Sequence, residues 1–271
     1  MVHLEMQDVW LDYGRKPVLK GISLEVRPGE MVGLIGPNGS GKSSIIRALS
    51  RIVSPRSGRI IINGTDVTTL SRRDLARQIG VVPQIPILPS AFSAFEIVLM
   101  GRNPHLNLFQ YEGAKEMAIA WEAMKLTGTI SLAARRVNEL SGGEIQSVLI
   151  ARALAQGTPA ILLDEPTANL DIGRQVEMLD LIKELCKDGT HTVLAALHDL
   201  NLACEYCDRL VLVYEGRVYA EGKPEQVIIE NNIKEVFGAK DCIYAHPRTG
   251  LPVVLLNANS HTERDSTRER P

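Results

Sequence analysis

The sequence predicts an α/β fold with a helical insertion, and three observations support this. Short β-rich apolar runs, typical of buried parallel strands, occur at Ala160–Leu163, Thr192–Leu197 and Leu210–Tyr214. Ile172–Lys187 lies between the first two runs and repeats its apolar residues at helical spacing, which completes a βαβ unit. Residues 91–157 are rich in Ala, Leu, Met and Glu at helical spacing, so we expect a helical subdomain inserted into the core.

The other elements follow from the same periodicities. Further strands are predicted at Val2–Val9, Val18–Val26, Met31–Ile35, Arg59–Ile62, Ile79–Val82 and Arg217–Glu221. Helices are predicted at Gly41–Ser50 and Leu200–Asp208. Residues 257–271 contain no large apolar residue, and we expect them to form a disordered tail.

Composition limits the partners that the chain can have. Its 271 residues carry a formal net charge of −2, which argues against nucleic-acid binding. No run approaches the roughly 18 consecutive apolar residues of a membrane helix, and Met1–Trp10 lacks the apolar core of a signal peptide. We therefore expect a cytoplasmic chain whose membrane role would come through a partner.

The cysteines do not predict a metal site. The chain has four, and Cys204 and Cys207 form a CxxC pair. Neither a second CxxC nor a His cluster completes a zinc site, and the pair lies in a predicted helix. We interpret Cys204 and Cys207 as two reduced structural thiols.

A phosphate-binding loop is predicted at Gly36–Ser43, which fits the pattern GxxxxGK[ST] between a strand and a helix. Its glycines let successive backbone N–H groups point at phosphate oxygens. Lys42 would supply a charge to the β- and γ-phosphates, and Ser43 a hydroxyl to Mg²⁺. The N-terminus of the helix that follows favours the same anion.

Two carboxylates follow the strand Ala160–Leu163. Ligands of open α/β sheets lie at the carboxyl ends of the strands, so Asp164 is placed to hold Mg²⁺. Glu165 is placed to orient a water for in-line attack on a γ-phosphate, which demands position more than basicity.

A capping box, Ser141-Gly142-Gly143-Glu144, opens the next predicted helix. Capping explains Ser141 and Glu144 but not the two glycines, each of which weakens a helix by up to about 1 kcal/mol relative to Ala. Bare glycines at a helix N-terminus allow close approach of an anion. We therefore expect an anion site at the start of this helix.

These motifs together resemble the nucleotide-binding subunit of an ATP-binding cassette (ABC) transporter over about residues 3–240. Gly36–Ser43 and Ile161–Asp164 resemble the Walker A and Walker B motifs of that family, and Leu140–Glu144 resembles its signature motif. One departure is that Ile145 and Ser147 stand where the family usually carries basic residues.

The resemblance assigns further roles. Glu165 matches the catalytic glutamate, Gln84 the Q-loop glutamine, and His198 the switch histidine, while Asp171 belongs to the D-loop and Tyr13 matches an aromatic residue that stacks on adenine. The implied nucleotide contacts are Tyr13, Gly36, Pro37, Asn38, Gly39, Ser40, Gly41, Lys42, Ser43, Ser44, Ser141, Gly142, Gly143 and Asp171. The implied Mg²⁺ ligands are Ser43, Gln84 and Asp164.

The resemblance also implies an architecture. We expect a P-loop NTPase core with a mixed sheet and flanking helices, an antiparallel β subdomain, and the inserted helical subdomain at about 91–157. Residues 1–240 would form the cassette and 241–256 a C-terminal extension. Two copies would bind ATP head to tail, each capping with its signature motif the nucleotide on the other, so that binding closes the dimer and hydrolysis opens it.

The transported molecule is predicted only by class. Met100–His105, Asp208–Leu212 and Glu215–Arg217 resemble segments of importers for iron–siderophores, haem or cobalamin. Such a chain would lie at the cytoplasmic face of the membrane on polytopic permease subunits, and Phe92, Phe95 and Met100–Leu108 are candidate contacts. A substrate-binding protein would act indirectly, and no nucleic acid is expected.

Three alternatives stay open. The chain could serve an importer of another substrate class. It could be a soluble ABC ATPase of translation or DNA repair, although those usually carry two cassettes or a long coiled-coil insertion. It could be a phosphate-loop kinase, which has no use for Leu140–Glu144.

Overall fold

The computed structural model describes residues 2–84, 86, 88–107, 111–168, 170–240 and 242–255. The predicted tail at 257–271 and Asn169 of the D-loop lie outside the described residues. Within the described part of the chain, no helix has both the length and the apolar character that crossing a bilayer requires.

The described residues form twelve strands, nine α-helices and four short 3₁₀ turns. The strands are β1 Leu4–Tyr13, β2 Lys16–Val26, β3 Met31–Ile35, β4 Ser57–Ile62, β5 Thr65–Asp66, β6 Ile79–Val82, β7 Ala160–Asp164, β8 Thr192–Ala196, β9 Arg209–Tyr214, β10 Arg217–Gly222, β11 Ile243–Ala245 and β12 Pro252–Val254. The α-helices are α1 Lys42–Leu49, α2 Arg72–Ala76, α3 Ala94–Leu99, α4 Ala114–Leu126, α5 Gly142–Gln156, α6 Ile172–Lys187, α7 Leu200–Tyr206, α8 Pro224–Val227 and α9 Glu230–Phe237. Short 3₁₀ turns occupy Val67–Thr69, Met100–His105, Ile130–Leu132 and Val137–Glu139.

Two larger sheets organise these elements and confirm the predicted fold class. A six-stranded sheet has the order β10-β9-β3-β8-β7-β6, in which β10 is antiparallel to β9 and the other pairs are parallel. A four-stranded sheet has the order β2-β1-β4-β5, with antiparallel pairs. β11 and β12 form a separate hairpin.

The mixed sheet is buried on both faces. In β3, Met31 and Ile35 point into one hydrophobic core while Val32 and Leu34 point into another, as the two-residue period of a strand requires. The first core contains α6 and α7, and the second contains α1 and the antiparallel sheet. All of these strand side chains are fully buried, which is why the parallel strands are apolar throughout.

Helix α5 joins the mixed sheet to the helical subdomain. Leu149 and Ile150 pack in the core of the sheet, whereas Val148 and Ala151 pack with α3 and α4. Because the helix is apolar on both of these faces, it belongs to two cores at once. Ser141, the N-cap residue of this helix, is therefore held in a fixed position relative to both cores.

The first strand is longer than predicted. β1 continues to Tyr13 because Gln7 and Asp8 form a bulge, with a register shift between Met6 and Val9, after which the alternation resumes. Asp8 has a positive φ of 45°. The bulge interrupts the polar–apolar alternation that would otherwise mark one continuous strand.

All four cysteines are buried and none of them forms a disulfide, which agrees with the interpretation of Cys204 and Cys207 as reduced structural thiols. Burial raises the pKa of Cys186 to about 11 and that of Cys204 to about 12. Thiols with such pKa values are poor nucleophiles and poor metal ligands at neutral pH.

An arginine connects the two larger sheets. Arg209 in β9 pairs through Nε with Glu30 at 2.8 Å, contacts Glu221 in β10, and donates a hydrogen bond to the backbone carbonyl of Glu25 in β2. The side chains of Arg209 and Glu30 are 15% and 14% exposed, so water screens their attraction only weakly.

We expect Arg209→Ala to lower the free energy of unfolding by about 2 kcal/mol, because it leaves Glu30 largely buried without a cation. Urea denaturation measures the effect. Arg27→Ala is the matched control, since the Arg27–Glu25 pair is 3.6 Å long and well exposed and should contribute less than about 1 kcal/mol. Equal losses in the two variants would contradict the linking role of Arg209.

Candidate functional site

A glycine-rich loop connects β3 to α1. Gly36, Gly39 and Gly41 have φ values of 141°, 76° and 118°, a region that side chains other than glycine rarely adopt. At Gly36 a Cβ would also lie 2.1 Å from the carbonyl oxygen of Val213 in β9. The backbone of β9 thus packs directly against the start of the loop.

Lys42 closes this loop from inside. It is only 5% exposed, and its Nζ donates hydrogen bonds to the carbonyl oxygens of Gly36 at 2.7 Å and Pro37 at 3.1 Å. Burial lowers the pKa of Lys42, while the carboxylates of Glu165 and Asp164 act in the opposite direction. The ammonium group is therefore fixed within the loop and close to both acids.

Asp164 and Ser43 present two oxygens side by side. The hydroxyl of Ser43 donates a hydrogen bond of 2.8 Å to Oδ1 of Asp164, which is 4% exposed at the end of β7. Burial raises the pKa of Asp164, and the hydrogen bond from Ser43 partly opposes this. A carboxylate and a hydroxyl in contact are oxygen donors of the kind that Mg²⁺ prefers.

The carboxylate of Glu165 contacts side chains from two other segments. Gln84, beyond β6, donates through Nε2 to one carboxylate oxygen, and Nε2 of His198, beyond β8, contacts the other. The backbone N–H of Glu165 donates to Ala196 at 3.1 Å, and its φ is 52°. Three neighbouring parallel strands thus bring three side chains together, and the backbone of Glu165 is strained.

Lys42, Ser43 and Glu165 line a cavity of about 530 Å³, and Asp164, Gln84 and His198 each contact one of these three residues. Its lining residues are Lys16, Pro17, Val18, Lys20, Asn38, Gly39, Gly41, Lys42, Ser43, Ser44, Glu165, Glu215 and Gly216. Tyr13 is not among them; it is 41% exposed and pairs with Lys16 at the tip of the β1–β2 hairpin.

Sequence reasoning missed the contributions of β2 and of the β9–β10 turn to this cavity. Gly216 donates its N–H to Ser40 of the loop at 3.0 Å, and its carbonyl accepts from the N–H of Lys20 at 2.8 Å. A Cβ at Gly216 would lie 2.2 Å from the carbonyl oxygen of Val18. In sequence, Glu215–Arg217 shows only a resemblance to segments of importers, and no local pattern indicates that this turn supports the phosphate loop.

The signature motif lines a different cavity of about 450 Å³, together with Asp171. At the start of α5, Ser141 and Glu144 form the predicted capping box, with bonds of 2.8 Å and 3.3 Å. Arg135 pairs with Glu144 at 2.8 Å. Asp171 caps α6 by accepting from the N–H of Arg174 at 2.9 Å. The two cavities have no lining residue in common, so the predicted contacts fall into two separate groups.

The first group has the elements that phosphoryl chemistry needs. Backbone N–H groups and a lysine at a helix N-terminus form an anion site. An adjoining hydroxyl–carboxylate pair suits a divalent cation, and a carboxylate held by an amide and an imidazole can orient a water.

We expect Gly36→Ala to destabilise the protein by more than about 2 kcal/mol, since the new Cβ would clash with the backbone of β9 as well as strain φ. Gly39→Ala is the matched control. It shares the positive φ but meets no atom within 4 Å, so only the strain of about 1–2 kcal/mol applies. Thermal unfolding of both variants measures the difference, and equal losses would show that contact with Val213 is unimportant.

Comparison with known proteins agrees with this geometry. The family model described as "ABC transporter" matches residues 19–168. The petrobactin import ATP-binding protein FpuD of Bacillus anthracis is 37% identical over 261 residues, which are 96% of each chain. The cobalamin import ATP-binding protein BtuD of Halobacterium salinarum is 41% identical over 237 residues, which are 88% of this chain but 59% of that protein.

Among solved structures, the dimeric ATP-binding cassette MJ0796 in a post-hydrolysis state with ADP and Pi bound is 30% identical, with a TM-score of 0.73 over 81% of this chain and 98% of that one. The match of the family model, the identity to the relatives and the arrangement of the phosphate loop and acidic strand lead to one conclusion. The chain belongs to the ABC transporter family and carries the ATP-binding ATPase domain of that family.

Proposed function

We propose that this chain hydrolyses ATP to energise a membrane importer of an iron chelate, haem or cobalamin. The observation that carries the proposal is the meeting of Gln84, Glu165 and His198 beside the phosphate loop. The named substrates of the relatives, petrobactin and cobalamin, support the substrate class.

The nucleotide would lie with its triphosphate on the loop. Backbone N–H groups of Asn38–Ser44 would surround the phosphates, and Lys42 would exchange its carbonyl contacts for phosphate oxygens. Tyr13, at the exposed hairpin tip next to the cavity-lining Lys16, would stack on adenine.

Ser43 and Asp164 fit a Mg²⁺ site, because their oxygens are already in contact and Asp164 is buried beside Lys42. Bound there with phosphate oxygens, the ion would neutralise charge on the nucleotide. The amide oxygen of Gln84 would be the remaining protein ligand, directly or through water.

Glu165 would orient the attacking water, and His198 would contact the γ-phosphate and hold that water in line. Both side chains stand at the carboxyl ends of parallel strands, where open α/β sheets bind their ligands. The hydrogen bond between them sets their mutual orientation before nucleotide arrives.

A second copy of the chain would complete the site. Ser141 and Gly142 are exposed, Gly143 is half-buried, and this cavity shares no residue with that of the phosphate loop. A head-to-tail dimer would place the signature residues and Asp171 of one copy over the nucleotide of the other. The dimeric structure of the relative MJ0796 supports this arrangement.

The permease would dock between the helical subdomain and the mixed sheet. A cleft of about 730 Å³ there is lined by Arg51, Arg72 and Arg152, and none of its described lining residues carries a carboxylate. It includes Met100 and Pro104 of the predicted contact segment, whereas Leu108 lies outside the described residues. An acidic segment of a polytopic permease at the cytoplasmic face suits this charge, and a substrate-binding protein would act through that permease.

We expect Glu165→Gln to bind ATP with wild-type affinity, to hydrolyse it about 10²–10⁴-fold more slowly, and to accumulate as an ATP-bound dimer. The side chain of Gln has an NH₂ donor where Glu165 has a second acceptor oxygen, so it would orient the water poorly while it leaves the phosphate loop intact. Size-exclusion chromatography with light scattering, with and without Mg-ATP, measures the monomer–dimer shift.

Glu184→Gln, an exposed carboxylate on α6, is the matched control and should behave as wild type. Adding Lys42→Ala to Glu165→Gln should abolish the shift by weakening ATP binding. If Glu165→Gln turned over ATP at the wild-type rate, its proposed role would be wrong. If it bound ATP without dimerising, even with the permease co-expressed, the head-to-tail model would be refuted.

A further inference from the structure

The C-terminal hairpin is attached to the body of the protein at one face of α7. Its strands β11 and β12 pair with each other, and the N–H of Leu255 donates to the carbonyl of Cys242 at 2.7 Å. Cys242 is buried in the core of the mixed sheet, and Ile243 and Val254 pack against it. The hairpin is thus a folded element with its own apolar contacts to the cassette.

One polar side chain ties this hairpin to α7. Asn201 donates through Nδ2 to the carbonyl of Val254 at 3.2 Å and accepts through Oδ1 from the N–H of the same residue at 2.8 Å. A side-chain amide that bonds both backbone groups of one residue replaces a neighbouring strand along the free edge of β12. Removing it would leave both groups of Val254 without these partners.

Asn201 stands in the first turn of the helix that follows His198. Asp199 caps this turn, with Oδ1 accepting from the N–H of Asn201 at 2.8 Å and from Leu202 at 3.1 Å. α7 has only 7 residues, too short to be stable by itself, so external contacts determine where its first turn lies. The hairpin and the cap together hold the backbone from which the His198 side chain reaches Glu165.

We propose that Asn201 is a positioning residue for hydrolysis. Through the side-chain amide of Asn201, the C-terminal hairpin fixes the first turn of α7 and therefore the contact of His198 with Glu165. This inference rests on the proposed function, since it requires that His198 takes part in hydrolysis. On this inference, the C-terminal hairpin contributes to ATP hydrolysis by the chain that carries it.

Asn201→Ala tests the inference in the full-length chain. We expect kcat for ATP hydrolysis to fall about 10-fold while KM for ATP stays within about twofold, because misplaced side chains cost rate and the phosphate loop is untouched. Glu205→Ala, an exposed position on the same helix, is the matched control and should keep the wild-type kcat. Thermal unfolding confirms that each variant is folded.

A second readout follows the imidazole itself. The ring resonances of His198, assigned by their loss in His198→Ala, should shift in Asn201→Ala and stay in place in Glu205→Ala. In a His198→Ala background, adding Asn201→Ala should lower the residual kcat no further, because the two residues act through one contact.

The outcomes separate the two proposals. Reduced kcat in His198→Ala with normal kcat and unshifted resonances in Asn201→Ala would overturn the positioning role alone. Wild-type kcat in His198→Ala would overturn the role of His198 in the proposed function and the inference with it. If Asn201→Ala lowered kcat by the same factor in the His198→Ala background as in the wild type, Asn201 would act by another route, and the inference would also be overturned.

Discussion

The close approach of the phosphate loop to β9 is the constraint on which the site depends. Only a glycine fits at position 36, where a side chain would meet the carbonyl of Val213. Lys42 then bonds back to the start of the loop, and Gly216 holds its middle through Ser40. The loop is thereby shaped by backbone contacts with β9 and its turn before any ligand binds, which lowers the entropy lost on binding. These backbone contacts require that β3 and β9 be neighbours in the mixed sheet.

Buried parallel strands were predictable because their burial on two faces makes them apolar runs. The βαβ unit around Ile172–Lys187 was found with its helix bounds unchanged, since apolar periodicity and an Asp cap define both ends. β1 was predicted to end at Val9 but continues to Tyr13, and a bulge at Gln7 and Asp8 changes which of its positions face inward. The pairing of Arg209 across two sheets could not be predicted, because it joins residues about 180 positions apart that no local pattern connects.

In the candidate site, too, residues in local motifs could be predicted, whereas contacts between distant segments could not. Lys42, Ser43 and Asp164 belong to short motifs with a physical signature, and the structure places them together. The contacts of Glu165 with Gln84 and His198 could be predicted only with the strand order. Glu165 follows β7, and Gln84 and His198 follow its neighbours β6 and β8. Lys16 and Glu215 line the same cavity without any motif, so only the folded chain identifies them. A turn in sequence shows where the chain reverses but not what it packs against.

Both carboxylate oxygens of Glu165 contact side-chain nitrogens, one from Gln84 and one from His198. A carboxylate engaged in this way has fewer lone pairs free to accept a hydrogen bond from the attacking water until those two partners turn toward a nucleotide. On the proposed roles, Glu165 would orient the water only after Gln84 has turned toward Mg²⁺ and His198 toward the γ-phosphate. These two hydrogen bonds would then make the start of hydrolysis depend on binding of the nucleotide and its metal ion at two other side chains.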